Sequence, residues 1–222
     1  MAYRPQQRDY GGHHLEWIAG VGHMDKRRPL RAQLRAGTRS ARDRLDHSMA
    51  QLDLAQPAQY ARFLRAQLDA REAIEEWADR HCPGLLRPPS TAWLLRDDLA
   101  RLAEMDRSLA DAHSARPAPL GPFLPPADCD PLGLAWVIAG SHQLGIEESL
   151  ARLHACAWYT CAPPASFLAD KRMTGFWHRL APRLQEPVDA AEAEPALAAA
   201  DAVLARFERA FAADPQRCRE AA

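Results

Sequence analysis

Apolar residues recur at helical spacing along nearly the whole chain from residue 29, and this periodicity limits the fold more than any other feature of the sequence. After Pro57, for example, Tyr60, Leu64 and Leu68 fall on one side of a helix. No stretch alternates apolar and polar residues at the two-residue period of a strand over more than a few positions. The sequence therefore predicts an all-α domain.

Prolines and capping residues divide this pattern into separate helices. Residues 115–131 contain six prolines, so neither a helix nor a central strand can run through them. Ser90 or Thr91 is the expected cap of the third helix, and acidic residues such as Glu72, Glu75 and Glu76 are expected on the outer face of the second. The predicted helices span roughly residues 29–49, 57–82, a third stretch after 90 or 91, 131–157, 163–186 and 190–213.

The length suits a single domain with one continuous core, because the chain has 222 residues. Residues 1–28 are polar and loop-like, and they predict a flexible N-terminal extension. The domain itself is expected over residues 29–213, followed by a C-terminal tail at 214–222.

Composition excludes several classes of protein. The formal net charge of -1 provides no general attraction to nucleic acid or to a membrane surface, and no apolar run reaches the ~20 residues that span a bilayer. The five cysteines are odd in number and form no C-x-x-C pair, which favours a reducing cytoplasm over a disulfide framework. Nucleotide-binding loops, G-x-S-x-G and the E-x-x-H pairs of di-iron bundles are absent from the sequence.

Several short motifs occur in an order and spacing that resemble the heme oxygenases, especially the small bacterial type. The strongest is L-R-x-x-T-R-x-x-R-x-x-L-D at residues 34–46, which is similar to the first core helix of that family. The others are Tyr60-x-x-Phe63-Leu64, Leu95-Arg96-Asp97-Asp98-Leu99, the segment from Trp136 to Gly145, Phe167-Leu168 with Thr174-Gly175-Phe176-Trp177, and Phe207-Glu208. The resemblance implies a single-domain heme oxygenase-like helical bundle.

Arg42 stands where the resemblance implies the histidine that binds the heme iron. A guanidinium group is protonated at any physiological pH and has no lone pair to give a metal. His142, in the segment that resembles the other side of the heme pocket, is the alternative ligand, although ligation from that side would obstruct the oxygen site. An exposed or hydrogen-bonded role is the other interpretation of His142.

The resemblance also assigns roles on the fourth helix. Gly140 and Gly145 match the glycines that let the helix bend over the ring, and Ser141 replaces a carboxylate that some members use to order water. These three residues are the expected catalytic positions. The alternative is that the glycines mark only close packing of helices.

Basic residues are expected to bind the heme propionates. Arg35 and Arg39 precede Arg42 by seven and three residues, which places them on one helical face, and the family has basic residues at both positions. His178 and Arg179 fall near the family's second propionate contact. A solvated basic face is the alternative interpretation.

Two functional hypotheses follow from the resemblance. The first is a heme oxygenase that opens heme to a biliverdin-type product with release of iron, using electrons from a ferredoxin or a flavin reductase, with activity impaired by Arg42. The second is a non-catalytic protein of the same fold that binds heme or a bilin, or that serves as a partner-binding module. In the second hypothesis Arg42 would meet a propionate or bilin carboxylate.

Overall fold

The computed structural model of the chain describes residues 27–105, 120–143, 150, 151, 153 and 163–212. These residues are mostly helical, which confirms the all-α prediction. Within the described part, a single antiparallel pair of two-residue strands joins β1 (Arg28–Pro29) to β2 (Pro187–Val188). The helices are α1 (Leu30–Gly37), α2 (Arg39–Ala50), α3 (Pro57–His81), α4 (Ala92–Met105), α5 (Pro131–Gln143), α6 (Arg172–Leu184) and α7 (Ala190–Ala212).

Thr38 divides the first predicted helix into α1 and α2. Its side chain is buried, and Oγ1 donates a 2.7 Å hydrogen bond to the carbonyl oxygen of Leu34. A threonine hydroxyl that bonds to the carbonyl one turn earlier often bends a helix. Helical hydrogen bonding nevertheless continues on both sides of Thr38, since its amide donates to the Leu34 carbonyl oxygen and the Arg42 amide donates to the Thr38 carbonyl oxygen, both at 3.0 Å.

Helix α5 lies in the core of the bundle, and every residue from Leu132 to Ala139 is buried. It packs against α6 and α7. At Gly133 the approach to α7 is so close that an added Cβ would lie 1.8 Å from the carbonyl oxygen of Ala196. Only a residue without a side chain fits at this position, so Gly133 sets the separation of the two helices. In the part of the chain that the structure describes, no helix is both long enough and apolar enough to cross a membrane.

The proline-rich segment before α5 is fixed by Arg206, a buried residue of α7. Its Nη1 donates to the carbonyl oxygens of Leu120, Gly121 and Pro122 at 3.4, 2.7 and 3.3 Å. Its Nη2 donates to the carbonyl oxygen of Asp69 on α3 at 3.1 Å. Because prolines have no N–H to donate, Arg206 supplies the donors that hold this segment between α3 and α7.

Helix α6 begins at Arg172, so the prediction of a helix from residue 163 was wrong at its start. The buried carboxylate of Asp98 accepts hydrogen bonds from the amides of Ser166 and Phe167 at 2.9 and 2.8 Å. The hydroxyl of Tyr60 donates to the carbonyl oxygen of Pro164 at 2.7 Å. These two contacts hold the segment in turns before α6.

The bundle includes residues just before α1. Arg28 belongs to β1, and the guanidinium of Arg27 forms a 2.7 Å ion pair with Glu192 at the start of α7. Both arginines were assigned by the sequence to the N-terminal extension, and the structure places them against the domain. The predicted tail at 214–222 lies outside the described residues.

Candidate functional site

Arg42 projects from α2 toward α5. Its Cζ atom lies 5.8 Å from the centroid of the Trp136 ring, in the geometry of a cation–π contact. The guanidinium is held by two hydrogen bonds, from Nη2 to the Arg35 carbonyl oxygen at 2.9 Å and from Nε to Thr38 Oγ1 at 3.3 Å. Arg42, which stands where the resemblance implies the iron ligand, therefore faces α5, the helix that contains Trp136 and Gly140.

A second arginine–tryptophan pair lies beside the first. Arg31 Cζ lies 5.3 Å from the ring centroid of Trp177 on α6. Trp136 and Gly140 are four residues apart on α5 and share a face, and a Cβ added to Gly140 would lie 3.8 Å from the Trp177 ring. We call Arg31, Arg42, Trp136, Gly140 and Trp177 the arginine–tryptophan cluster.

The arginines at this end of the bundle carry charge that no described carboxylate neutralises. Among the described residues, none of them has an Asp or Glu oxygen within 4.0 Å. Burial raises the pKa of the Asp46 carboxyl, and the positive charge of Arg42 lowers that pKa by a smaller amount. The set consists of Arg31, Arg35, Arg39 and Arg42.

Some exposed arginines of the described chain have acidic partners. Arg44 forms a 2.9 Å ion pair with Glu208, and Arg96 forms one of 2.6 Å with Glu72. Others, such as Arg183 and Arg209, have none among the described residues, so what distinguishes α1 and the start of α2 is that several such arginines follow one another at helical spacing. An anion that approached there would meet several guanidinium groups that face no described carboxylate.

The predicted second propionate contact lies on α6. His178 and Arg179 follow Trp177 directly, and both are exposed. Arg179 Nη1 donates to the carbonyl oxygen of Gly175 at 3.2 Å, and its Cζ lies 5.7 Å from the Phe176 ring centroid. The structure places these two residues beside the arginine–tryptophan cluster but records no contact between them and Arg35 or Arg39 within the described chain.

The two predicted catalytic residues that the structure describes are separated, because Gly140 belongs to the arginine–tryptophan cluster and Ser141 does not. Gly140 lies against Trp177, whereas Ser141 is turned toward α3: its hydroxyl accepts a 3.4 Å hydrogen bond from Arg71 Nη2 and donates to the Ile138 carbonyl oxygen at 3.1 Å. Gly145 and the side chain of His142 lie outside the described residues. Within the described chain, no three histidine, cysteine or acidic side chains are grouped as a metal site would require.

Arg71 is the charged residue that reasoning from the sequence missed. It is 1% exposed, and its Cζ lies 5.1 and 5.7 Å from the ring centroids of Phe167 and Phe207. Its Nε donates to Gln67 Oε1 at 3.1 Å, and Nη1 donates to Thr91 Oγ1 at 3.4 Å. Burial lowers the pKa of Arg71 to about 10, so the group remains charged at neutral pH.

Glu75 provides the opposing charge, and its predicted place on the outer face of α3 was wrong. Oε1 accepts hydrogen bonds from the Thr91 amide and hydroxyl, both at 2.8 Å, and Oε2 accepts from Ser90 Oγ at 2.7 Å and the Ala92 amide at 3.2 Å. A carboxylate bound to amides at a helix start is favoured by the helix dipole. Glu75 therefore caps α4, and the expected caps Ser90 and Thr91 donate to it.

A signal for Arg71 was present in the sequence. The buried side of α3 follows helical spacing, and Arg71 falls on that side rather than on the solvent side. The stripe consists of Tyr60, Leu64, Gln67, Arg71, Ile74 and Ala78. A charge in such a stripe predicts a buried, compensated group, which is what Arg71 and Glu75 form.

Comparison of the chain with protein-family models, with curated proteins and with solved structures found no match. The likeness to heme oxygenases therefore rests on the short sequence motifs alone.

Proposed function

We propose that this protein binds a carboxylated tetrapyrrole, heme or a bilin, without catalysing its oxidation. The observation that carries the proposal is the set of arginines around the arginine–tryptophan cluster that has no carboxylate partner among the described residues. Guanidinium groups bind carboxylates through paired hydrogen bonds. Tryptophan rings offer flat apolar faces on which a planar ligand stacks.

The residues at this site fit the carboxylates of heme but not its iron. Arg42 has no lone pair for a metal. Its Cζ lies 5.8 Å from the Trp136 centroid, whereas a flat ring between the two groups requires about 7 Å, because each face needs ~3.5 Å of contact distance. The residues around Arg42 therefore suit binding of the carboxylates of a tetrapyrrole and not ligation of its iron.

Arg35 and Arg39 are the groups best placed to take the acidic edge of a ligand. Both are exposed on α1 and α2, and the Arg35 carbonyl oxygen accepts the hydrogen bond from Arg42. A ligand with two carboxylates could engage one of these arginines together with Arg42. His178 and Arg179, exposed on α6 directly after Trp177, would provide a second basic edge for the ligand.

Oxygenase activity is the second candidate. It is supported by the position of Arg42 opposite Trp136, because the resemblance implies that α2 and α5 contain the two ring-binding segments. It would yield a biliverdin-type product and iron, with electrons from a ferredoxin or a flavin reductase. It requires Arg42 to leave Trp136 and an iron ligand from elsewhere in the chain, such as His142.

The test is a titration of the full-length protein with hemin, followed by visible absorption. We expect a saturable Soret band without the signature of histidine ligation, and no conversion to a bilin spectrum when a reductant and oxygen are added. Conversion to a bilin would establish the second candidate. If hemin and biliverdin, titrated separately, both kept the spectra of the free pigments, both candidates would be rejected.

Arg42→His sharpens this test, because it restores a neutral nitrogen at the ligand position. We expect a histidine-ligated spectrum and an affinity for hemin at least about tenfold higher, which corresponds to ~1.4 kcal/mol of binding free energy. Arg101→His is the matched control, since Arg101 is an exposed arginine of α4. An equal gain in both variants would show adventitious ligation and would contradict the assignment of Arg42.

A further inference from the structure

Arg42 covers a surface that a planar ligand would need. Trp136 is only 7% exposed, and the Arg42 guanidinium lies over its ring. Arg42 is only half-buried, and it is held there by the Arg35 carbonyl oxygen and the Thr38 hydroxyl. A ligand that stacks on Trp136 must first displace the guanidinium from all three groups.

We propose that Arg42 is a specificity-determining residue, which admits ligands that carry a carboxylate and rejects otherwise identical ligands that do not. This inference rests on the proposed function. A carboxylate replaces the contacts that Arg42 gives up with charge-assisted hydrogen bonds. An ester leaves the displaced guanidinium without an equivalent partner, so the closed arrangement is retained.

The surroundings of Arg42 support this role. No described carboxylate lies within 4.0 Å of its guanidinium, so a ligand carboxylate meets no competitor there. Two of its three present contacts are with uncharged oxygens, and hydrogen bonds between charged partners are worth more than these. Arg42 therefore gains binding free energy when it exchanges a neutral acceptor for a ligand carboxylate, and it gains none when it exchanges that acceptor for an ester.

The experiment compares two metal-free probes that differ only in charge, protoporphyrin IX and its dimethyl ester. Each is titrated into the full-length protein in the same low concentration of nonionic detergent, and the dissociation constant is read from the Soret shift. We expect the diacid to bind wild type at least about tenfold more tightly than the ester. In Arg42→Met the ratio should fall but stay above one, because the ester gains access to Trp136 and the diacid loses one of its partners, while Arg35 and Arg39 remain to bind a carboxylate.

Arg101→Met serves as the control, because it removes an exposed arginine from α4 and should keep the wild-type ratio. The far-ultraviolet circular dichroism of both variants establishes that they are folded. An ester that binds wild type as tightly as the diacid would overturn the selectivity. A ratio unchanged in Arg42→Met would overturn the role of Arg42 while leaving the proposed function intact. Failure of the diacid, of hemin and of biliverdin to bind would reject both.

Discussion

The contact between Gly133 and Ala196 permits a quantitative test of the packing of α5 on α7. A methyl group at position 133 would overlap the Ala196 carbonyl oxygen, 1.8 Å away, and the Ala196 carbonyl carbon, 2.7 Å away. Backbone atoms cannot rotate out of the way as the end of a long side chain can. Gly133→Ala should therefore force the two helices apart.

The expected magnitude combines two opposing terms. Overpacking of a core costs about 1–3 kcal/mol, and the upper value applies here because the clash is with backbone. Alanine is favoured over glycine in a helix by about 1 kcal/mol. The net loss should be about 2 kcal/mol, which for a chain of this size lowers Tm by about 4–8 °C.

Gly140→Ala is the matched control on the same helix. An added Cβ there would lie 3.8 Å from the Trp177 ring, an ordinary contact distance. Only the helix-propensity term remains, so this variant should gain about 0.5–1 kcal/mol. Thermal unfolding followed by circular dichroism and urea denaturation would measure both variants. If Gly133→Ala proved as stable as wild type, the close packing of α5 on α7 described here would be incorrect.

Two further predictions concern acidic residues. Glu75→Gln should lower the free energy of unfolding by about 2 kcal/mol, because it removes a negative charge that acts on the buried Arg71 and weakens the hydrogen bonds that Glu75 accepts from Thr91 and Ala92. The exposed neighbour Glu76→Gln should change it by less than about 0.5 kcal/mol in urea denaturation; equal effects would contradict the buried role of Glu75. Burial raises the pKa of Asp201 above its ordinary value of 3.8, Arg44 lowers it by less, and Glu208 adds a smaller rise, so folding on balance disfavours the ionised carboxylate. Asp201→Asn should therefore increase stability at pH 7, and the gain should disappear below pH 3.8, where the carboxyl is protonated in both states; a gain independent of pH would exclude this cause.

Helix ends set by local residues could be predicted, and those set by distant contacts could not. Pro57 occupies the first position of α3, and the predicted end near Cys82-Pro83-Gly84 lies next to the observed last residue, His81. The turns before α6 depend on Asp98, 68 and 69 residues away from Ser166 and Phe167 in the chain. Periodicity carries no information about such a partner.

In the candidate site, too, the general placement of segments could be predicted from the sequence and the individual side-chain contacts could not. The motifs around Arg42 and in the α5 segment led to the expectation that these segments face each other, and Arg42 does contact Trp136. The sequence did not indicate that the guanidinium would occupy the tryptophan face itself. Ser141 was expected to serve the same catalytic site as Gly140. Successive residues of a helix point about 100° apart, however, and the Ser141 hydroxyl accepts a hydrogen bond from Arg71 instead.

The position of α7 in the bundle has a consequence for the synthesis of the protein. This helix packs against α1, α2, α3 and α5, all of which precede it in the chain. The roughly 160 residues from the end of α2 to the end of α7 take about 8 to 32 s to translate at ~5–20 residues per second. Until α7 is made, the sides of α1, α2, α3 and α5 that pack against it lack that partner, so these apolar surfaces stay exposed on the nascent chain although contacts such as α3 with α4 can already form.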